Sequence, residues 1–117
     1  GINVGAARVL VLGLTFKENC PDLRNTRVVD IIEELQSYGI SVDVHDPHAD
    51  PAAAEAEYGL SLSSSPQDGT YDAVVLAVAH QEYKDADPST FRAYGKPNSV
   101  VFDIKSCLPR DASDLRL

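Results

Sequence analysis

The segment Arg8-Val9-Leu10-Val11-Leu12-Gly13-Leu14 is apolar without interruption from Val9 to Leu14, with Gly13 near its end. A strand with one wet face alternates apolar and polar residues, whereas a continuous apolar run suits a strand covered on both sides. Such cover is characteristic of the middle of a parallel sheet flanked by helices. The run is therefore read as the first and central strand, and the rest of the chain is constrained by it.

The remaining segments alternate in type. After a polar stretch from Thr15 to Asn25, Val28, Val29, Ile31, Ile32 and Leu35 recur at helical spacing, with Asn25 or Thr26 placed to cap the helix and Gly39 to end it. Residues 40–45 alternate as a strand that stops at Asp46-Pro47, because proline cannot donate to a ladder. Pro51 to Tyr58 reads as a second helix, Leu60 and Leu62 as a brief strand, and Ser63-Ser64-Ser65-Pro66 as a turn. Tyr71 to Val78 is again an apolar strand, Pro88 to Tyr94 a short helix, and Ser99 to Asp103 a last strand. The ends, Gly1 to Ala7 and Asp111 to Leu117, read as loose. Strand and helix in alternation predict one α/β domain over residues 1–117, a Rossmann-like three-layer arrangement with a mostly parallel sheet and helices on both faces. Ligands of such sheets dock at the carboxyl ends of the strands.

With 117 residues and 44% hydrophobic content, a self-sufficient core is expected without metals or disulfides. Gly1 is not an initiator methionine, which suggests a piece of a longer protein. The formal charge of -8 disfavours nucleic acid as a partner. No apolar run approaches the about 20 residues that span a bilayer, and no leader pattern opens the chain, so no membrane role and a cytoplasmic location are expected. Cys20 and Cys107 stand far apart, without metal-ligand spacing, and read as reduced thiols.

The first strand and helix do not make a dinucleotide site. Gly13-Leu14-Thr15-Phe16-Lys17-Glu18 lacks the glycines of GxGxxG, and the pattern GxxxxGK[ST] is absent. Asp46 sits where a ribose-binding acid would be, but without those glycines it reads as a turn former before Pro47. The loop Phe16-Lys17-Glu18-Asn19-Cys20-Pro21-Asp22-Leu23-Arg24-Asn25-Thr26 is different. It leaves the first strand where ligands dock and sets an aromatic ring beside Lys17 and Arg24 in an acidic chain. An ammonium, a guanidinium and the donors of a helix start are what phosphate recognition uses. On spacing alone, the same cations could equally solvate a loop.

Gly13-Leu14-Thr15-Phe16-Lys17, four intervening residues, then Asp22-Leu23-Arg24-Asn25-Thr26 resembles the signature G-x-x-[FY]-K-x-x-x-x-D-x-R-x-[ST] of UDP-glucose/GDP-mannose dehydrogenase C-terminal domains. The resemblance extends to Val44-His45-Asp46-Pro47, Asp72-Ala73-Val74-Val75-Leu76 and Phe102-Asp103-Ile104-Lys105. The loop wording is most similar to UDP-N-acetylhexosamine 6-dehydrogenases of capsular or O-antigen polysaccharide synthesis.

The resemblance implies an enzyme that oxidises the C6 alcohol of a UDP-sugar to a carboxylate with NAD, its C-terminal domain holding the nucleotide. It implies that Phe16, Lys17 and Lys105 bind UDP, that Arg24 reaches the NAD pyrophosphate, and that Asp22 orients the loop. The implied partners are the UDP-sugar, N-terminal NAD-binding and central domains, and further copies in a homo-oligomer.

No catalytic residue is assigned here. The family's thiolate nucleophile has no counterpart at Cys20 or Cys107, so the chain alone is expected to bind and not to oxidise. Of the histidines, His80 alone falls near the expected cleft, and a structural or solvated role is the expectation for it as for His45 and His48. Asp85 and Asp87 form an acidic turn before Pro88, and no metal site is expected. The competing class is a non-catalytic interaction scaffold whose basic loop is only a solvated turn.

Overall fold

A computed structural model describes residues 6–106 and 108–116. Its sheet consists of β1 (Arg8–Leu12), β2 (Ser41–His45), β3 (Tyr71–Leu76), β4 (Gly95–Asp103) and the two-residue β5 (Leu115–Arg116), in the order β2-β1-β3-β4-β5. Every pairing is parallel. The apolar run at the start of the chain is the first strand and an interior one, paired with β2 on one side and β3 on the other, but the centre of the order is β3 and not, as expected, β1.

Alternate residues of β1 feed two cores. Val9 and Val11 point to the layer covered by α1 (Val28–Ser37) and α2 (Pro51–Tyr58), where they meet Ile32, Val44 and Ala54. Leu10 and Leu12 point the other way, onto Tyr83 of α3 (Gln81–Asp85) and Phe91 of α4 (Ser89–Tyr94). Leu10, Val11, Val74 and Val101 are fully buried, each worth about 1.5–3 kcal/mol in apolar transfer. The fold is thus the expected three-layer α/β sandwich.

Thr26 accepts a hydrogen bond from the Val28 N–H at 3.2 Å just ahead of α1, and Gly39, at φ +81°, closes it with its N–H on the Gln36 carbonyl at 2.9 Å. Asn25, the other capping candidate, is left-handed at φ +62° and belongs to the loop. Asp50 caps α2 through the Ala52 N–H at 3.2 Å, with Pro51 in its first turn.

Two expectations about individual segments need correction, and one element is added. Leu60-Ser61-Leu62 is not a strand; it meets the sheet through a single bridge from Val44 to Leu62. The described part of the segment from Asp111 onward is not loose. The Asp114 carboxylate takes the Val101 N–H at 2.8 Å and the Arg92 guanidinium at 2.7 Å, and this clasp brings β5 onto β4. Helix α3 is an addition, too short for its periodicity to show. Cys107 lies outside the described residues, and Cys20 is a free thiol.

Candidate functional site

The strand order reverses direction between β1 and β3, and at such a switch point the loops leaving the two strands diverge to open a crevice. Gly13 begins the loop after β1, its N–H on the His45 carbonyl at 2.7 Å. Its φ is +100°, and a Cβ there would stand 2.6 Å from the Cβ of Val78. This glycine therefore lets the loop after β3 pack against the β1 loop.

The next turn is held by Asp46. Its Oδ2 accepts the N–H groups of Leu14 at 2.6 Å and Thr15 at 3.0 Å and the Nε2–H of His80 at 2.9 Å. Its Oδ1 accepts the N–H groups of His48 at 2.7 Å and Ala49 at 3.2 Å. Both the Asp46 and His80 side chains are wholly buried. Burial pushes the carboxyl up, but the hydrogen bonds from His80, Leu14, Thr15 and His48 more than offset it, and its pKa falls from 3.8 to about 2.

Nδ1 of His80 accepts the Asn19 N–H at 2.9 Å, and an amide can only donate, so the ring proton sits on Nε2. That proton is shared with the Thr15 hydroxyl at 3.2 Å, which in turn donates to the Lys17 carbonyl at 3.1 Å. The Asn19 side chain accepts the Gln81 N–H at 2.7 Å, joining the loop to the start of α3. His48 packs against His80 with ring centres 4.4 Å apart and planes tilted by 37°, and pairs with Glu82 at 2.8 Å, while His45 bonds the Tyr83 hydroxyl at 2.9 Å.

The far half of the loop closes on itself. The Phe16 N–H reaches the Asp22 carbonyl at 2.7 Å, and the Tyr58 hydroxyl donates to the carbonyl of the buried Leu23.

Beside this scaffold lies a cleft of about 250 Å³ walled by the β1 loop, the N-terminal turn of α1, Ala77 and Val78 after β3, and Ile104 and Lys105 after β4. Phe16, Lys17 and Lys105 all line it, as do Thr26 and Arg27. Its charged lining is three cations, Lys17, Arg27 and Lys105, against Glu18. Phe16 is 54% exposed, a ring open to stacking. Among the described residues neither Lys17 nor Lys105 makes an ion pair, whereas Arg8, Arg24, Arg92 and Lys96 are each held by an aspartate.

Arg24 does not join the other three. Its guanidinium grips the Asp22 carboxylate with two bonds of 3.1 and 3.2 Å outside the cleft lining, and its N–H bonds the same carboxylate at 2.8 Å. The hydrogen bonds from Arg24 hold the Asp22 carboxyl below its ordinary range.

A second crevice of about 410 Å³ at the end of β2 is lined by His45, Asp46, Pro47, Ala49, Pro51, Leu62, Ser63 and Ser64, without lysine or arginine.

These residues do not form a dinucleotide cradle. The single glycine after β1 is filled against by Val78, and the acid at the end of β2 has its oxygens occupied by five internal donors. Among the described residues no cluster of three or more histidine, cysteine or carboxylate side chains is placed to hold a metal, and no helix is long and apolar enough to cross a membrane.

A doubly wound parallel sheet with a basic, aromatic-walled cleft at its switch point defines a nucleotide-binding α/β domain in geometry and charge. Residues 10–110 match the model of the UDP-glucose/GDP-mannose dehydrogenase family, UDP binding domain, and the chain belongs to that family. It is 53% identical over 116 residues to a UDP-N-acetyl-D-glucosamine 6-dehydrogenase of Pseudomonas aeruginosa, covering 99% of this chain and 28% of the relative. The same-named protein of Salmonella typhi is 45% identical over 117 residues, covering all of this chain and 28% of the relative. A solved UDP-glucose dehydrogenase from the hyperthermophilic archaeon Pyrobaculum islandicum superposes with a TM-score of 0.73 at 28% identity, over 95% of this chain and 24% of that one. The chain therefore spans 28% of the length of both curated relatives.

Proposed function

We propose that this chain is the UDP-holding domain of an NAD-dependent UDP-N-acetylhexosamine 6-dehydrogenase, an enzyme that turns the C6 alcohol of the sugar into a carboxylate for polysaccharide synthesis. The observation that carries the reading is that Phe16, Lys17 and Lys105 all line one cleft, with neither lysine in an ion pair among the described residues. A diphosphate entering there would meet two point charges and the positive end of the α1 dipole, and a uracil ring would find an exposed aromatic face. The names of the relatives support the N-acetylhexosamine as the sugar.

The chain's own part is binding and orientation. The oxidant and the thiolate would come from NAD-binding and central domains of the same protein, acting in the cytoplasm as a homo-oligomer. Arg24, exposed and held out of the cleft by Asp22, is the residue assigned here to the pyrophosphate that such a domain would carry. The acceptor positions of Asp46 are already filled, so this chain supplies no ribose contact of its own at that point.

Calorimetry of UDP with wild type, Lys17→Ala and Arg24→Ala tests the reading. One-site binding is expected, weakened about tenfold by Lys17→Ala, which corresponds to one charged hydrogen bond, and unchanged by Arg24→Ala. Absence of heat at millimolar UDP, or an unaltered Lys17→Ala, would refute it.

A further inference from the structure

We infer that His80 is a positioning residue of the nucleotide site, holding through its Nδ1 acceptor the loop segment that carries Phe16 and Lys17. The inference rests on the UDP reading and assigns a role to a histidine that lines no part of the cleft.

The geometry leaves the ring one job on each side. Nε2–H donates to Asp46 at 2.9 Å, and that carboxylate already anchors the start of the loop through Leu14 and Thr15. Nδ1 accepts the Asn19 N–H at 2.9 Å, five residues beyond Leu14. The Nδ1 bond therefore ties the loop at Asn19, just beyond Phe16 and Lys17, to the residue that follows β3, while the Nε2 bond adds stability through Asp46. The Thr15 hydroxyl, close to the same Nε2, adds a bond to the Lys17 carbonyl at 3.1 Å.

Asn19 sits at φ +58°, a left-handed conformation that asparagine tolerates better than most residues, and is held there with its N–H on His80 and its side chain on Gln81. Ordering Phe16 and Lys17 before the ligand arrives lowers the entropic cost of binding.

The two nitrogens can be removed separately. In His80→Gln the side-chain amide can still donate toward Asp46 but offers no acceptor at the Nδ1 position, so the Asn19 tether is lost. In His80→Asn the oxygen can take the Nδ1 position and keep Asn19, while the Asp46 bond is lost. UDP calorimetry and thermal unfolding are to be run on both variants and wild type. Amide hydrogen exchange at Phe16 to Asn19 is to be read alongside.

His80→Gln should weaken UDP binding about tenfold and speed exchange at those amides. His80→Asn should bind UDP as wild type does, although its melting temperature falls. A merely structural histidine predicts instead that affinity loss tracks melting temperature in both variants, and that pattern overturns the proposal. Wild-type affinity in His80→Gln overturns it alone, leaving the UDP site intact. A wild type that binds no UDP overturns the nucleotide reading and this role together.

Discussion

Replacing Asp46 with asparagine changes one oxygen to an amino group and leaves the volume almost unaltered, so it isolates hydrogen bonding from packing. In the native chain one carboxylate oxygen faces three donors and the other faces two. An amide can turn its oxygen to only one of those sets. Its better choice keeps Leu14, Thr15 and His80, and then the amino group faces the N–H groups of His48 and Ala49. Two charge-assisted bonds become donor-to-donor contacts, and at about 1.5–3 kcal/mol per bond the loss is about 3–6 kcal/mol. That is a large share of the about 5–15 kcal/mol by which a domain is stable. Urea unfolding followed by circular dichroism should show the midpoint falling accordingly with an unchanged slope. A cost below about 1 kcal/mol would mean that the His48 and Ala49 N–H groups are not held by this carboxylate, and the hydrogen-bond account of Asp46 would be wrong.

Acid should expose the same residue. The folded pKa of Asp46 lies below its ordinary value, so its stabilisation is complete above about pH 4 and is lost as pH falls toward about 2. The stability gap between wild type and Asp46→Asn should narrow over that window in urea titrations, and a constant gap would count against the shift. Gly13→Ala should cost about 2–4 kcal/mol, since the new methyl meets Val78 at 2.6 Å on a backbone with φ +100°. A variant as stable as wild type would show that the two loops do not need that approach.

The parts legible in the sequence were those set by local chemistry. Val9 to Leu12 and Val74 to Leu76 read as interior strands because burial on both faces leaves no polar position in them. The gathering of Phe16, Lys17 and Lys105 followed from a motif and the rule that ligands dock at strand ends. Arg24 carried the same signal of charge and loop position, but a partner two residues away in Asp22 takes its guanidinium out of the cleft.

Long-range bonds were not legible. Asp46 looks like a turn former, and its Oδ1 is one, but its Oδ2 serves Leu14 and Thr15 more than thirty positions back. His80 showed only that it followed a buried strand; its role depends on Asn19, sixty-one positions away. The polar end segment looked loose because the clasp that docks it runs from Asp114 to Val101 and Arg92, and apolar periodicity does not register such a contact.

The central claim is that the cleft between the β1 and β3 loops, and not the larger crevice beside β2, takes the nucleotide. A titration of the isotope-labelled chain with UDP, followed by amide chemical shifts, tests it most directly. The account predicts saturable shifts at Phe16, Lys17, Thr26, Val78 and Lys105, with Ala49, Leu62 and Ser63 still. Shifts centred on His45 to Ser64, or none at saturating UDP, would contradict it.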